Sequence, residues 1–404
     1  MKKATCLLGL CVALALPVVE AATQEIRALF QPDPSQPRKN VFVNKTPNSG
    51  YCADYPDQCA ENSIFSIRLP LRFDAPLTLP PNWGIGIKVP ANWRSLAVIN
   101  TETMETEIVE VRITGVGSNY VLSQPAHELV GVSDVLLGHQ LLWDSSSWVY
   151  ASPPCQYSGV GAYTPATYRF FWKTPVEGYC AKKTLATIPS MYFDTLDFAY
   201  ELRTPNPLGM SSGLYTGSLT YSLGSGGDFD IGGGFQPDDS SLTLDFVLDV
   251  QHTLKVDLPP GGNKVVLEPE GGWTRWVNSG RKPSSIFRDQ LFYISASSRF
   301  KVMMLCNSYG GSRCILRSPK TNTTEVETFL TLPPGISGPG GGDVNRVMLL
   351  YNTWVGPFQP QIYLERKAGS LRFAMPKDAI DFVLRPGVND TFTGNITIIW
   401  DSEV

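Results

Sequence analysis

The stretch Leu242-Thr243-Leu244-Asp245-Phe246-Val247-Leu248-Asp249-Val250-Gln251-His252-Thr253-Leu254-Lys255-Val256-Asp257-Leu258 decides the fold class. Its even-numbered positions are apolar apart from His252, while Thr243, Asp245, Asp249, Gln251, Thr253, Lys255 and Asp257 take the other parity. Successive side chains of an extended chain point to opposite faces, so this period of two predicts one long bent strand, or two in sequence, with one face on a core. The same alternation runs through Phe65, Ile67, Leu69, Leu71 and Phe73, through Val109, Val111 and Ile113, and through Tyr168, Phe170 and Trp172. Helical spacing is confined to two short patches, Ser133 to Leu142 and Ser284 to Leu291.

The remaining composition agrees with an all-β chain. Among 404 residues, 36 Gly and 32 Pro suit many turns and few long helices. The length accommodates two domains with separate cores. A boundary is expected at 204–212, Thr204-Pro205-Asn206-Pro207-Leu208-Gly209-Met210-Ser211-Ser212, where two prolines and small residues interrupt the strand pattern. Residues 22–203 and 213–404 are then two β-sandwich domains. With 33 basic and 37 acidic residues the net charge is -4, which leaves no global basic field for nucleic acid.

The first 21 residues have the order of a secretory signal: Met1-Lys2-Lys3, an apolar run from Ala4 to Val19, then Glu20-Ala21-Ala22. Cleavage after Ala21 leaves Val19 and Ala21 as the small residues at the recognition positions, whereas cleavage after Ala22 would place Glu20 at one of them. Removal of the signal takes Cys6 and Cys11 with it. Six cysteines remain, an even number in a chain bound for an oxidising compartment, so disulfides are the default. Sequence alone allows about 15 pairings. Loop closure favours the local set Cys52–Cys59, Cys155–Cys180 and Cys306–Cys314 over a zinc site, for which no Cys-x-x-Cys spacing exists.

Catalytic patterns are weak. Gly209-Met210-Ser211-Ser212-Gly213 matches a nucleophile elbow in letters only, because prolines precede it where a buried strand is required and a strand pattern follows where a helix is required. No enzyme, cofactor or metal is expected. Sugar binding calls for aromatic faces beside planar amides or carboxylates. His139, Gln140, Trp143, Asp144, Trp148 and Tyr150, with Gln156 and Tyr157, have that composition around Cys155. The competing reading makes Trp143 and Trp148 core residues. The loop between Cys52 and Cys59, with Tyr51, Asp54, Tyr55 and Asp57, is a second candidate.

The chain ends on an alternating apolar segment, Phe392, Ile396, Ile398 and Trp400, four residues before Val404. An apolar strand with no downstream neighbour suits a sandwich that awaits a strand from another chain. Here the second half resembles the pilin-type domain of the two-domain tip adhesins of bacterial chaperone–usher fimbriae. The resemblance lies in Tyr215 to Gly224 and Gly227 to Gly232 as an opening, Leu242 to Leu258 as the next strand, Phe300-Lys301-Val302-Met303 with Cys306 and Cys314, and the ending Phe392 to Val404. It implies an incomplete immunoglobulin-like pilin domain at 213–404, completed by a donor strand that contacts Phe392, Ile396, Ile398 and Trp400. It further implies a periplasmic chaperone, an outer-membrane usher and an adjacent fimbrial subunit as partners, and a host glycan or protein as receptor for residues 22–203. The location implied is the extracellular fimbrial tip, reached through the periplasm. The alternative within the same resemblance is a minor structural or initiator subunit without receptor binding.

Overall fold

The computed structural model describes residues 22–61 and 64–402; the expected signal segment, with Cys6 and Cys11, and the terminal Glu403-Val404 lie outside the described residues. Strands dominate, and they fall into two units with separate cores. No helix among the described residues is long and apolar enough to cross a membrane.

The first unit is built on a 13-stranded sheet that shares its core with a three-stranded one. Its first strand, Ala22–Phe30, runs parallel to Ser241–Val250 in the register Ala22↔Leu242 to Phe30↔Val250. Ser241–Val250 pairs on its other side with Gly213–Ser222, which meets Arg94–Asn100 at Tyr215↔Asn100. That approach is close enough that a Cβ at Gly217 would run into the Ala97 carbonyl. Arg94–Asn100 continues to the 17-residue strand Thr106–Leu122, flanked by Leu196–Arg203 and Thr167–Lys173. Twist accumulates along so many strands, and the sheet curls over its own apolar face instead of lying flat.

The alternation at 242–258 resolves into two strands in different units. Ser241–Val250 has the strict inward–outward pattern and buries Leu242, Leu244, Phe246, Leu248 and Val250 in the first core. Leu254–Asp257 pairs with Ile286–Ala296 in the second. The boundary therefore falls at 251–253 and not at 204–212, and the strands Gly213–Ser222 and Ser241–Val250, expected to open the second domain, belong to the first. The proline-rich stretch is a packed turn. Pro207–Gly209 forms a short 3-10 turn capped by the Asn206 side chain, Leu208 and Met210 are buried, and the Ser211 amide donates to Glu105 and to the Tyr215 hydroxyl. The patch at Ser284 to Leu291 is also corrected, from helix to the strand Ile286–Ala296, because it pairs along its length with Leu364–Ala374. The other patch is the helix Val135–Leu141, whose N-cap Asp134 accepts the Leu137 amide at 2.7 Å.

The second unit packs two sheets face to face. One contains Leu254–Asp257, Ile286–Ala296, Leu364–Ala374 and Thr323–Thr331; the other runs Ile336–Ser337, Trp354–Pro360, Phe300–Cys306, Ile396–Ser402. Phe292, Ile294, Phe300, Val302, Leu330 and Phe358 fill the space between them. At the junction the Gln359 amide donates to the Leu208 carbonyl at 2.9 Å, and Arg299 lies 3.7 Å from Glu105. The disulfides are Cys52–Cys59, Cys155–Cys180 and Cys306–Cys314, the local set.

Candidate functional site

The residues singled out for sugar binding divide sharply by burial. Trp148 is 0% exposed, Trp143 1% and His139 0%. Trp148 stacks on Trp172 at 5.1 Å and meets Trp143 edge-on at 5.2 Å. A satisfied polar chain runs through the cluster: the Trp143 indole N–H donates to the Tyr120 hydroxyl at 3.2 Å, that hydroxyl donates to His139 Nδ1 at 2.6 Å, and His139 Nε2–H donates to the Thr164 carbonyl at 2.7 Å. Burial lowers the His139 pKa, so the ring is held neutral, as this chain requires. Trp143, Trp148 and His139 are thus core residues and cannot face a ligand; the expectation that they do is corrected. The segment 143–155 has no alternation to reveal which aromatics point inward.

What remains at the surface is smaller. Tyr150 and Tyr157 are 51% and 56% exposed and stack on one another at 5.7 Å and 18°. Gln156 is exposed beside Tyr157, and Gln140 is half-buried on its helix. Asp144 is exposed, but its carboxylate accepts the Lys183 amide at 3.0 Å and so shapes the turn. Lys182, which the sequence reading passed over, organises this loop from beneath. Its buried ammonium donates to the carbonyls of Ser145, Ser146 and Ser147, each at 3.1 Å, and to the Ser145 hydroxyl at 3.0 Å. Burial lowers its pKa to about 8, while the carbonyl cage supplies acceptors for the charged form.

The loop between Cys52 and Cys59 carries a second polar cluster. Tyr51 is buried and its hydroxyl donates to Gln58 Oε1 at 2.7 Å, whereas Asp57 is exposed. Asp54 accepts from both Arg68 and Arg169, and Arg68 also binds the buried Asp197 through two bonds of 2.8 and 3.0 Å. Arg68 lies 14 residues from Asp54 and Arg169 lies 115, and both were missed.

The closing strand is an edge strand of the second unit. Ile396–Ser402 runs antiparallel to Phe300–Cys306 and stands at the end of its four-stranded sheet, with its outer backbone edge unpaired among the described residues. Register places Ile396, Ile398 and Trp400 opposite Cys306, Met304 and Val302, on the inward face. Phe300, Val302 and Met304 are fully buried, yet Ile396, Ile398 and Trp400 are only half-buried. The Trp400 ring rests 5.0 Å from Phe292 and 5.9 Å from Phe300 and stays half-buried. Alongside the start of this strand lies a cavity of about 310 Å³ whose lining is mixed: Val265, Leu267, Leu316, Val326, Phe373 and Ile396 supply its apolar part, and Asn263, Gly394 and Asn395 its polar part. An unpaired edge beside a partly apolar cavity has the geometry to receive one more strand, whose amides would extend the ladder. Phe392 is half-buried ahead of the strand and not part of its paired edge. The Val265-Val266-Leu267 triplet after the turn at Pro259 is the sequence signal that could have identified the cavity's far side.

No family model matches the chain, and no curated protein matches it. Among solved structures, it aligns with CfaE, the adhesive subunit of CFA/I fimbria of enterotoxigenic Escherichia coli, at 9% identity over 95% of each chain with a TM-score of 0.26. It also aligns with a CFA/I chaperone–tip adhesin complex at 10% identity over 95% of this chain and 97% of that one, TM-score 0.26. The chaperone–tip subunit pre-assembly complex CsuC–CsuE of Acinetobacter baumannii Csu pili aligns at 8% identity over 94% of this chain and 98% of that one, TM-score 0.21. Superpositions at these scores do not establish a common placement of strands.

Proposed function

We propose that this chain is a non-enzymatic adhesin displayed at a fimbrial tip and assembled by donor-strand complementation. The observation that carries the proposal is the unpaired edge of Ile396–Ser402 with its half-buried inward face. The second unit accepts a strand first from a periplasmic chaperone and then, at the outer-membrane usher, from the adjacent subunit. The export signal and the three disulfides suit that route. The first unit, 22–250, offers the exposed Tyr150–Tyr157 stack, with Gln156 and Asp144 close by in sequence, as the receptor-facing platform for a host glycan or protein.

The test is expression of residues 253–404 in the periplasm with and without a fused peptide of alternating apolar residues. The donor-fused form should be a soluble monomer, and a donor with charged residues at the inward positions should fail to rescue. A donor-free monomer that melts cooperatively at the same temperature as the fused form overturns the proposal.

A second reading, a minor structural or initiator subunit without a receptor, is favoured by one specific observation: burial of Trp143 and Trp148 removes the two strongest stacking candidates. A glycan array and host-cell binding assay on the first unit separate the readings, since an initiator binds neither.

A further inference from the structure

Beyond the fimbrial reading, and independent of it, we infer that processing between Ala21 and Ala22 creates an α-ammonium group that pairs with Asp239 and fastens the first strand of the mature chain to Ser241–Val250. Ala22 N lies 2.7 Å from Asp239 Oδ2, within the range of a charge-assisted bond. The carboxylate is already oriented, because its other oxygen accepts the Ser241 amide at 3.1 Å. Ala22 is half-buried against the first core and Asp239 is half-buried on its turn, so the pair is partly withdrawn from water.

Before processing, the nitrogen is an amide with a single proton to donate. A leader peptidase adds water across the Ala21–Ala22 bond: hydroxide goes to the Ala21 carbonyl carbon, the nitrogen of Ala22 takes a proton, and a second proton from solvent gives the ammonium at neutral pH. The neutral donor thereby becomes a cation facing an anion. Neighbouring charges are committed elsewhere. Asp238 accepts the Arg72 amide at 3.1 Å, the Arg72 guanidinium pairs with Asp74 at 2.5 Å, and Glu25 pairs with Arg27 farther along the strand, opposite Asp245.

The experiment uses the exported full-length protein. Its intact mass should correspond to a chain beginning at Ala22, and any other start overturns the inference. Reductive methylation with ¹³C-formaldehyde labels the terminal amine, and its titration is followed by NMR. In the folded protein the amine should titrate about one pH unit or more above the ordinary range of about 7.7–8.0, and in Asp239→Asn it should return to that range. Titration within the ordinary range in the folded wild type overturns the inference. If Asp239→Asn does not fold, the wild-type amine compared between folded and urea-denatured protein still decides it.

Discussion

His252 and Ser297 are joined across the junction of the two units: the Ser297 hydroxyl lies 3.0 Å from His252 Nδ1, while His252 Nε2–H donates to the Met210 carbonyl at 2.9 Å. Ser297 also accepts the Thr253 amide at 2.9 Å, and the imidazole edge rests on Phe30 at 5.5 Å. One ring therefore ties the packed turn, the first core and the second unit together.

Burial lowers the pKa of His252 and of His139, so both are neutral in the folded chain and both must accept a proton in acid. The sign follows: their contribution to stability is complete above the ordinary value of 6.5 and is lost as pH falls from there through the folded values. Glu105, held below its ordinary 4.5 despite burial by bonds from Tyr215 and Ser211 and by Arg299, fails only at lower pH. Melting temperature should fall between pH 7.5 and pH 5, with a shallower slope in His252→Gln. A flat profile across that window contradicts the prediction.

Residues 22–212 should not fold, because that fragment lacks both Gly213–Ser222 and Ser241–Val250, the strand along which all of Ala22–Phe30 pairs, and keeps only the two-residue pairing with Val43–Asn44. Residues 22–252 should unfold cooperatively in urea. Cooperative melting of the shorter fragment would restore the boundary to the proline-rich turn.

Trp148→Ala should cost about 3–5 kcal/mol, the loss for deleting a fully buried aromatic. Tyr150→Ala and Tyr157→Ala should each remain within about 0.5 kcal/mol of wild type, as exposed substitutions do, and weaken attachment to the receptor. Urea unfolding beside a cell-binding assay separates these outcomes. Equal binding by both tyrosine variants removes them from the receptor platform.

Replacing Cys155 and Cys180 together with serine should destabilise the first unit by about 3.5 kcal/mol, against about 2.5 kcal/mol for Cys52 and Cys59, in the chain-entropy model. The difference arises because the first pair closes a separation of 25 residues and the second only 7. Denaturant midpoints check the order, and a larger loss from the short loop would show that local packing outweighs loop entropy.

Strand content, the three disulfides and the inward parity of Ile396, Ile398 and Trp400 were all legible, because each depends on period or proximity along the chain. The boundary was not. Alternation reports that one face is buried without saying in which core, so the parity of 242–258 passes unbroken through 251–253, where the chain leaves one core for the other. Pro205 and Pro207 break the strand pattern in a turn as they would in a linker, and only the burial of Leu208 and Met210 tells the two apart. Composition likewise cannot separate an aromatic that stacks on a sugar from one that stacks on Trp172. Arg68 and Arg169 become neighbours only through Asp54, a meeting that depends on sheet topology.

On the export route proposed above, the parallel pairing of Ala22–Phe30 with Ser241–Val250 sets the order in which the first unit can close. A polypeptide threaded through a membrane emerges in sequence order, yet Ala22 waits for Asp239, 217 residues behind it, before its place in the sheet exists. Local hairpins can close as they appear, but this non-local contact carries its loop-closure cost until late in translocation. On that route Ile26 and Phe30 wait with only the short local pairing to Val43–Asn44 beside them. Along the same route the opening strand is the earliest apolar segment of the mature chain to await its partner, long before the closing strand follows.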